Sequence, residues 1–360
     1  MSVDTPLISF CIATYKRPQL LGLTIKAILK QDYQNLEIIV SDNDSQGSAR
    51  AVTENFKSKK ITYHKNKTNI GMMNNFNMAF RHSHGDYIVF MADDDPPESA
   101  MLTLLMKLKK KYPNAGAYFG ASSFIVKDSI IPKVHRGLKI GKNSQANKNL
   151  PKGYTEIVSP SAFLPKFLRF EIFNYFLWSC GMVKRDVINK IGKLKTVNGS
   201  NYFTDFAFIL NVGTSTQMAI VNKELGSQSI HLENNGRTNK NLLTLPNATK
   251  GFYDQFVSQA RELGCEADLE KFLRNWVREH LLSVFRFRRF TNQKEDQNLI
   301  ARIYRDIAHE YHFFRKDYLY FYSRLFFPTT MEKFDKYKWI LEMRNFKLLG
   351  KKLLNLARAT

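Results

Sequence analysis

Cysteine is scarce. Cys11, Cys180 and Cys265 are the three cysteines of a 360-residue chain. They lie far apart with no CxxC pair, which argues against a disulfide framework or a zinc site and fits a reducing compartment. No uncharged apolar run approaches the ~18 residues needed to span a bilayer. No basic segment followed by an apolar core opens the chain, so no secretory signal is expected and a cytoplasmic location is. Neither GxxxxGK[ST] nor GxGxxG follows the first apolar run, so the usual glycine-rich phosphate loops are missing. HExxH and GxSxG are missing too, removing the signatures of zinc proteases and serine hydrolases. There is no internal repeat.

What the chain has in excess is positive charge. Lys and Arg number 54 against 32 Asp and Glu, a formal net charge of +22. Anionic partners are expected: nucleic acid, anionic lipid head groups and phosphorylated substrates all qualify, and net charge does not separate them. With 44% hydrophobic residues, the chain can bury a full core in one large domain plus an extension.

Leu7 to Ala13 reads as a buried strand. Thr14-Tyr15-Lys16-Arg17 forms the following turn, and Pro18 sits where a first helical turn tolerates it. Leu20, Leu21, Thr24, Ile25, Ile28 and Leu29 then recur at helical spacing. Further strands are expected at Leu36–Val40, Ile61–His64, Tyr87–Met91, Tyr118–Val126 and Met218–Val221, with helices near 49–56, 73–81 and 185–192. Strands alternating with helices at this spacing predict a doubly wound, mostly parallel α/β sheet. Ligands in such sheets bind beyond the carboxyl ends of the strands. Thr14 to Arg17, Asp42 to Ser45 and Asp93 to Asp95 share that edge.

Tyr87 to Pro97 is the most informative stretch. An apolar strand ends in Asp93-Asp94-Asp95, and Pro96 and Pro97 prevent it from continuing. Three adjacent like charges repel one another, which a cation relieves. Oxygen ligands of this kind suit Mg²⁺ or Mn²⁺ when a substrate phosphate completes the shell. The competing reading is an acidic loop leading into a helix near Glu98.

Ile8 to Pro18, Glu37 to Ser45, Asn69-Ile70-Gly71, Gly85-Asp86-Tyr87 and Asp93 to Asp95 together resemble the N-terminal half of family-2 glycosyltransferases. The resemblance covers about the first 125 residues well and about 170–235 more loosely. It implies a GT-A fold, a nucleotide-diphospho-sugar donor, a divalent cation and inversion at the anomeric carbon. Carried over by position, Thr14, Tyr15 and Arg17 belong to the nucleotide side, Asp42 and Asn43 lie near the base, and Asn69 and Gly71 form the loop beside the nucleotide. Where relatives have two acids at the second strand end, this chain has Asp42 and Asn43. Asp94 matches the metal ligand of the family's DxD region, with Asp95 beside it and Asp93 supporting through ribose, metal or water. Trp178 and Gly181 resemble the acceptor-facing segment, although such a tryptophan also fits a core. His231 matches the late metal or diphosphate ligand of some GT-A enzymes and reads equally as structural.

Asp205 lies among Phe203, Phe206 and Phe208. A desolvated carboxylate there would have a raised pKa, which suits a general base; the alternative is an acid on the polar side of a partly buried helix. Its position resembles the family's catalytic acid, with Thr204 where relatives carry another acid. Lys133 to Lys152 reads as a mobile loop over the site or a surface insertion.

These readings divide the chain into residues 1–250, with a nucleotide-sugar half (1–125) and an acceptor-side half (126–250), and a helical, basic, aromatic-rich region (251–360). That last region is expected either at an anionic membrane surface or as an ordinary helical subdomain. No nucleic-acid-binding signature accompanies the charge. The expected function is transfer of a sugar to a hydroxyl of a glycan or lipid-linked glycan in surface polysaccharide biosynthesis, peripheral to the cytoplasmic face of a membrane. The alternative is a non-catalytic nucleotide- or glycan-binding relative.

Overall fold

The computed structural model describes residues 5–126, 129, 131–134, 138–230, 239–290, 297–328 and 331. Strands and helices alternate first: β1 Ile8–Thr14, α1 Pro18–Leu29, β2 Leu36–Asp42, α2 Arg50–Glu54, β3 Ile61–Lys65, α3 Met72–Arg81, β4 Tyr87–Ala92, α4 Met101–Lys111 and β5 Ala117–Val126. Then follow α5 Ile131–Val134, β6 Gly141–Ser144, β7 Thr155–Val158, α6 Pro160–Leu168, β8 Gly181–Lys184, α7 Arg185–Ile191, α8 Thr204–Ser215 and β9 Met218–Ile230. The remaining helices are α9 Asn239–Leu242, α10 Leu245–Glu262, α11 Glu266–Phe290, α12 Gln297–Glu310 and α13 Tyr318–Phe326.

Among the described residues the strands form one nine-stranded sheet in the order β3-β2-β1-β4-β8-β5-β9-β7, with β6 on β5. Strands β1 to β4 are mutually parallel, and β9 runs parallel to β5. β8 lies antiparallel between β4 and β5, so those two point the same way. The sheet is thus mostly parallel with helices alternating around it, as the periodicity indicates. β1 is buried along its whole length, which is why its seven residues read as a continuous apolar run rather than an alternating one.

Register fixes the site. Thr14 is opposite Asp42, and Ala13 is opposite Ala92. The chain therefore leaves β1, β2 and β4 on one edge, with the aspartates immediately after β4.

The second half departs from expectation. Of the 133–152 stretch, residues 141–147 are tied to the sheet: β6 pairs with β5, and the buried Asn147 exchanges hydrogen bonds with Asn222. A loop-like composition hid this because polar side chains, not apolar ones, do the anchoring. β9 runs thirteen residues and bulges against β5 near Gly120, well beyond the apolar Met218–Val221 core that marks it.

The chain divides into two compact units, Met1–Leu273 and Arg274–Thr360. In the second, Tyr304 stacks on Phe321 at 3.9 Å, and Phe314, Ile303 and Leu325 are buried with them. Asp317 is held by Arg278 and by Arg274 at 3.3 Å. No described helix is long and apolar enough to cross a membrane.

Candidate active site

The turn after β1 clamps the aspartates. Thr14 donates its hydroxyl to Asp93 Oδ2 at 2.6 Å, and Arg17 donates to Asp94 Oδ2 at 2.8 Å while also pairing with Asp93. From α1, Thr24 donates to the Asp93 carbonyl at 2.8 Å, so the helix face fixes the backbone of the acidic loop. Lys16 adopts φ +56°, an uncommon value for a residue with a Cβ, at the bend just before Arg17. Tyr15 is exposed, with Lys16 over its ring.

Desolvation dominates the acids. Burial pushes Asp93 up to about 6 despite the Arg17 cation and the Thr14 hydroxyl, with the Asp94 charge adding to the rise. Asp95 is raised well above the ordinary carboxylate range by burial and then by the Asp94 and Asp93 charges. Its Oδ1 is buried without a hydrogen-bond donor. An orphaned buried carboxylate oxygen beside two further carboxylates is a donor set suited to Mg²⁺ or Mn²⁺. Among the described residues, no three His, Cys, Asp or Glu groups form a metal cage made by the protein alone. A cation shared with a diphosphate needs only one or two carboxylates, and Asp94 and Asp95 are the candidates for that role. His231 lies outside the described residues.

The turn after β2 is differently built. Asp42 is fully buried, and its oxygens accept from Asp44 N at 2.9 Å, Ala49 N at 3.0 Å and Tyr63 Oη at 2.8 Å. With these donors in place, Asp42 shapes its own loop rather than presenting a carboxylate to a base. Asn43 cross-links two loops: its amide donates to Asn69 Oδ1 at 3.0 Å and the Gly71 carbonyl, and its oxygen accepts from Asn66 and Ile70. A carboxylate could not supply that donating amide, which is a local reason for asparagine here. Gly71 has φ +82° with open space where a Cβ would stand, so its conformation, not crowding, calls for glycine.

Asp205 sits in the first turn of α8, where the helix N-terminus favours a negative charge. The preceding Phe203 has φ +63°, a strained value for a bulky residue that turns the chain into α8. Asp205 Oδ2 accepts from Tyr175 Oη at 2.8 Å, and Oδ1 accepts from Phe206 N at 2.9 Å. Burial raises its pKa, and these two donors hold the rise in check. Tyr175 is itself raised well above the ordinary phenol range by burial, then by Asp205, and further by the charge of Asp95. Tyr175 thus bonds Asp205 directly and also feels the charge of Asp95. Sequence reasoning missed Tyr175, because it lies inside an aromatic run and nothing in the spacing ties it to Asp205.

Trp178 corrects an expectation. It is 7% exposed, edge-on to Phe76 at 4.8 Å and to Phe208 at 6.2 Å, and so packs the core instead of offering a face to a sugar. Gly181 likewise serves packing, since a Cβ there would meet the Phe119 ring at 2.2 Å. On the solvent side, Lys142 of β6 pairs with Glu98 at 2.6 Å, just after the acidic loop.

Comparison with known proteins follows the same division. The sequence model described as "Glycosyl transferase family 2" matches residues 9–192. The chain is 31% identical over 147 residues to the GalNAc(5)-diNAcBac-PP-undecaprenol beta-1,3-glucosyltransferase of Campylobacter jejuni, covering 40% of this chain and 46% of that one. It is 27% identical over 179 residues to the UDP-Glc:alpha-D-GlcNAc-diphosphoundecaprenol beta-1,3-glucosyltransferase WfgD of Escherichia coli, covering 49% and 70%. The chain thus spans about half the length of the first of these relatives. Among solved structures, S. aureus TarS 1–349 in complex with UDP-GlcNAc superposes with a TM-score of 0.55 over 83% of this chain and 81% of TarS. At 12% identity that likeness is one of fold.

Proposed function

This chain belongs to glycosyl transferase family 2, and from that premise we propose that it moves a sugar from a nucleotide-diphospho-sugar to a hydroxyl of a lipid-linked glycan, with inversion, in surface polysaccharide biosynthesis. The observation carrying the proposal is the hydrogen bond from Tyr175 to Asp205, with the Asp95 charge also felt at the phenol. It supplies a desolvated base. The acceptor class is supported by the two relatives whose names specify undecaprenol-linked substrates.

In this reading the donor lies over the ends of β1, β2 and β4, beside Tyr15, Asn69 and Gly71. Thr14 holds Asp93 in place, and Arg17 is the protein's own cation for the diphosphate. When bound at Asp94 and Asp95, Mg²⁺ or Mn²⁺ supplies positive charge that stabilises the leaving nucleoside diphosphate. Asp205 takes the proton of the acceptor hydroxyl as its oxygen attacks the anomeric carbon. The bond from that carbon to the diphosphate oxygen breaks in the same direction, and the nucleoside diphosphate departs with the electron pair. Tyr175 remains protonated, because its raised pKa keeps it a donor, and it orients the base. The reaction is placed at the cytoplasmic face of a membrane, with the chain peripheral to it.

The test is a panel of nucleotide sugars incubated with an undecaprenyl-diphosphate-linked acceptor, with and without Mn²⁺, the product anomer being read by NMR. Cation-dependent transfer with inverted configuration is expected. Nucleotide binding without turnover of any donor would favour a non-catalytic relative instead.

A further inference from the structure

Unit Arg274–Thr360 carries a feature that sugar transfer does not use. From Arg274 onward Lys and Arg number 19 against 9 Asp and Glu. Phe285, Phe287, Tyr304, Phe313, Phe314 and Phe321 are buried, but α13 and the residue after it leave Leu319 89%, Phe326 41% and Phe327 65% exposed. Residues 319, 322, 323, 326 and 327 fall on one helical face at i, i+3, i+4, i+7 and i+8. Bulky apolar side chains grouped in this way on a solvent-facing helix call for a partner.

Next to that face lies an open cavity of about 450 Å³ lined by Asn298, Leu299, Ala301, Arg302, Arg305 and Tyr322. Tyr322 joins the two features: it lines the cavity, donates to the Ala301 carbonyl at 3.2 Å, and stacks on Phe326 with an interplanar angle of 2°. Among the described residues Arg302 has no acidic partner, and Arg305 meets only Asp306 at a loose 3.8 Å, both largely exposed. Two accessible guanidinium groups beside an apolar helix face match the two parts of an anionic phospholipid, phosphate above and acyl chain below.

We propose that the α12–α13 surface docks on an anionic lipid bilayer, with Arg302 and Arg305 on lipid phosphate and Leu319, Phe326 and Phe327 at the acyl boundary. A basic nucleic-acid site would need the arginines but not the apolar face, and an apolar protein partner would need the face but not two open cations. The lipid bilayer uses both. The proposal extends the transferase reading by saying which surface brings the enzyme to a lipid-linked acceptor.

The experiment is co-sedimentation of the full chain, without donor or acceptor, with vesicles of phosphatidylcholine alone or mixed with phosphatidylglycerol. The full chain binds the mixed vesicles and not the neutral ones. Arg302→Ala with Arg305→Ala lowers partitioning about thirtyfold, roughly fivefold for each cation removed. Leu319→Ser with Phe327→Ser gives a comparable loss at unchanged helicity, and Arg302→Lys with Arg305→Lys restores most of the binding. Equal binding to neutral vesicles, or full binding by both loss variants, would overturn the proposal. Since the assay contains no sugar chemistry, a failure here leaves the transferase reading standing, and inactivity on every donor leaves this one standing.

Discussion

Asp93 offers a quantitative test through protons alone. Its folded-state pKa is raised from 3.8 to about 6, chiefly by burial. A raised value means that the folded state binds this proton more tightly than the unfolded chain does. The stabilisation is fully present below about pH 3.8 and is lost as pH rises through about 6. At about pH 5 it is worth roughly 1.4 kcal/mol relative to neutral pH, one tenfold step in the proton equilibrium. At about 2–4 °C per kcal/mol for a domain of this size, the thermal midpoint carries a contribution of about 3–6 °C. Asp95 and Asp205 are also raised by burial and slope the same way, so the wild-type curve alone is not diagnostic. The informative quantity is the difference between wild type and Asp93→Asn in ligand-free protein, followed by scanning calorimetry from about pH 5 to 7.5. Wild type should gain this increment on acidification relative to the variant. Arg17→Met, which removes the cation holding the rise in check, should move the window to higher pH. Superimposable pH dependences for wild type and Asp93→Asn would refute the burial argument.

Tyr175→Phe removes a neutral donor from a carboxylate, an interaction worth about 1.5–3 kcal/mol. The acid limb of kcat/KM should move to higher pH, with a loss of roughly tenfold to a hundredfold at acidic pH that shrinks as pH rises. A uniform loss at every pH would mean that the tyrosine serves packing alone. Trp178→Ala should cost about 3–5 kcal/mol in urea unfolding, as expected for a buried aromatic. If the tryptophan stacked on the acceptor instead, KM would rise while stability stayed near normal.

The sheet was legible because β1, β2, β4 and β5 are largely buried and read as mostly apolar runs. The edge where they end was legible because Thr14, Asp42 and Asp93 follow those runs directly. Among the later strands β5 and the start of β9 were legible, while β6, β7 and β8 were not. β6 is anchored by backbone pairing and by polar side chains such as Asn147, and β8 is four residues sandwiched between non-neighbours in sequence. At the site, residue type pointed to the right loops but not to how each side chain is engaged. Asp42 and Asn43 looked like ligand contacts, and both turn out to hold loops together through local hydrogen bonds. Trp178 was ambiguous because an aromatic that stacks on a sugar and one that fills a core have the same sequence signature. The Tyr175–Asp205 bond joins an irregular segment to a helix N-terminus, a pairing set by tertiary structure alone.

The central claim is that Asp205 is the base and the β4 aspartates are not. Its most direct test is transfer by Asp205→Asn at saturating donor, with donor affinity measured in parallel by calorimetry. Removing a general base should lower kcat by about a hundredfold to ten-thousandfold while donor binding stays near that of wild type. Transfer by Asp205→Asn at close to the wild-type rate would contradict the claim.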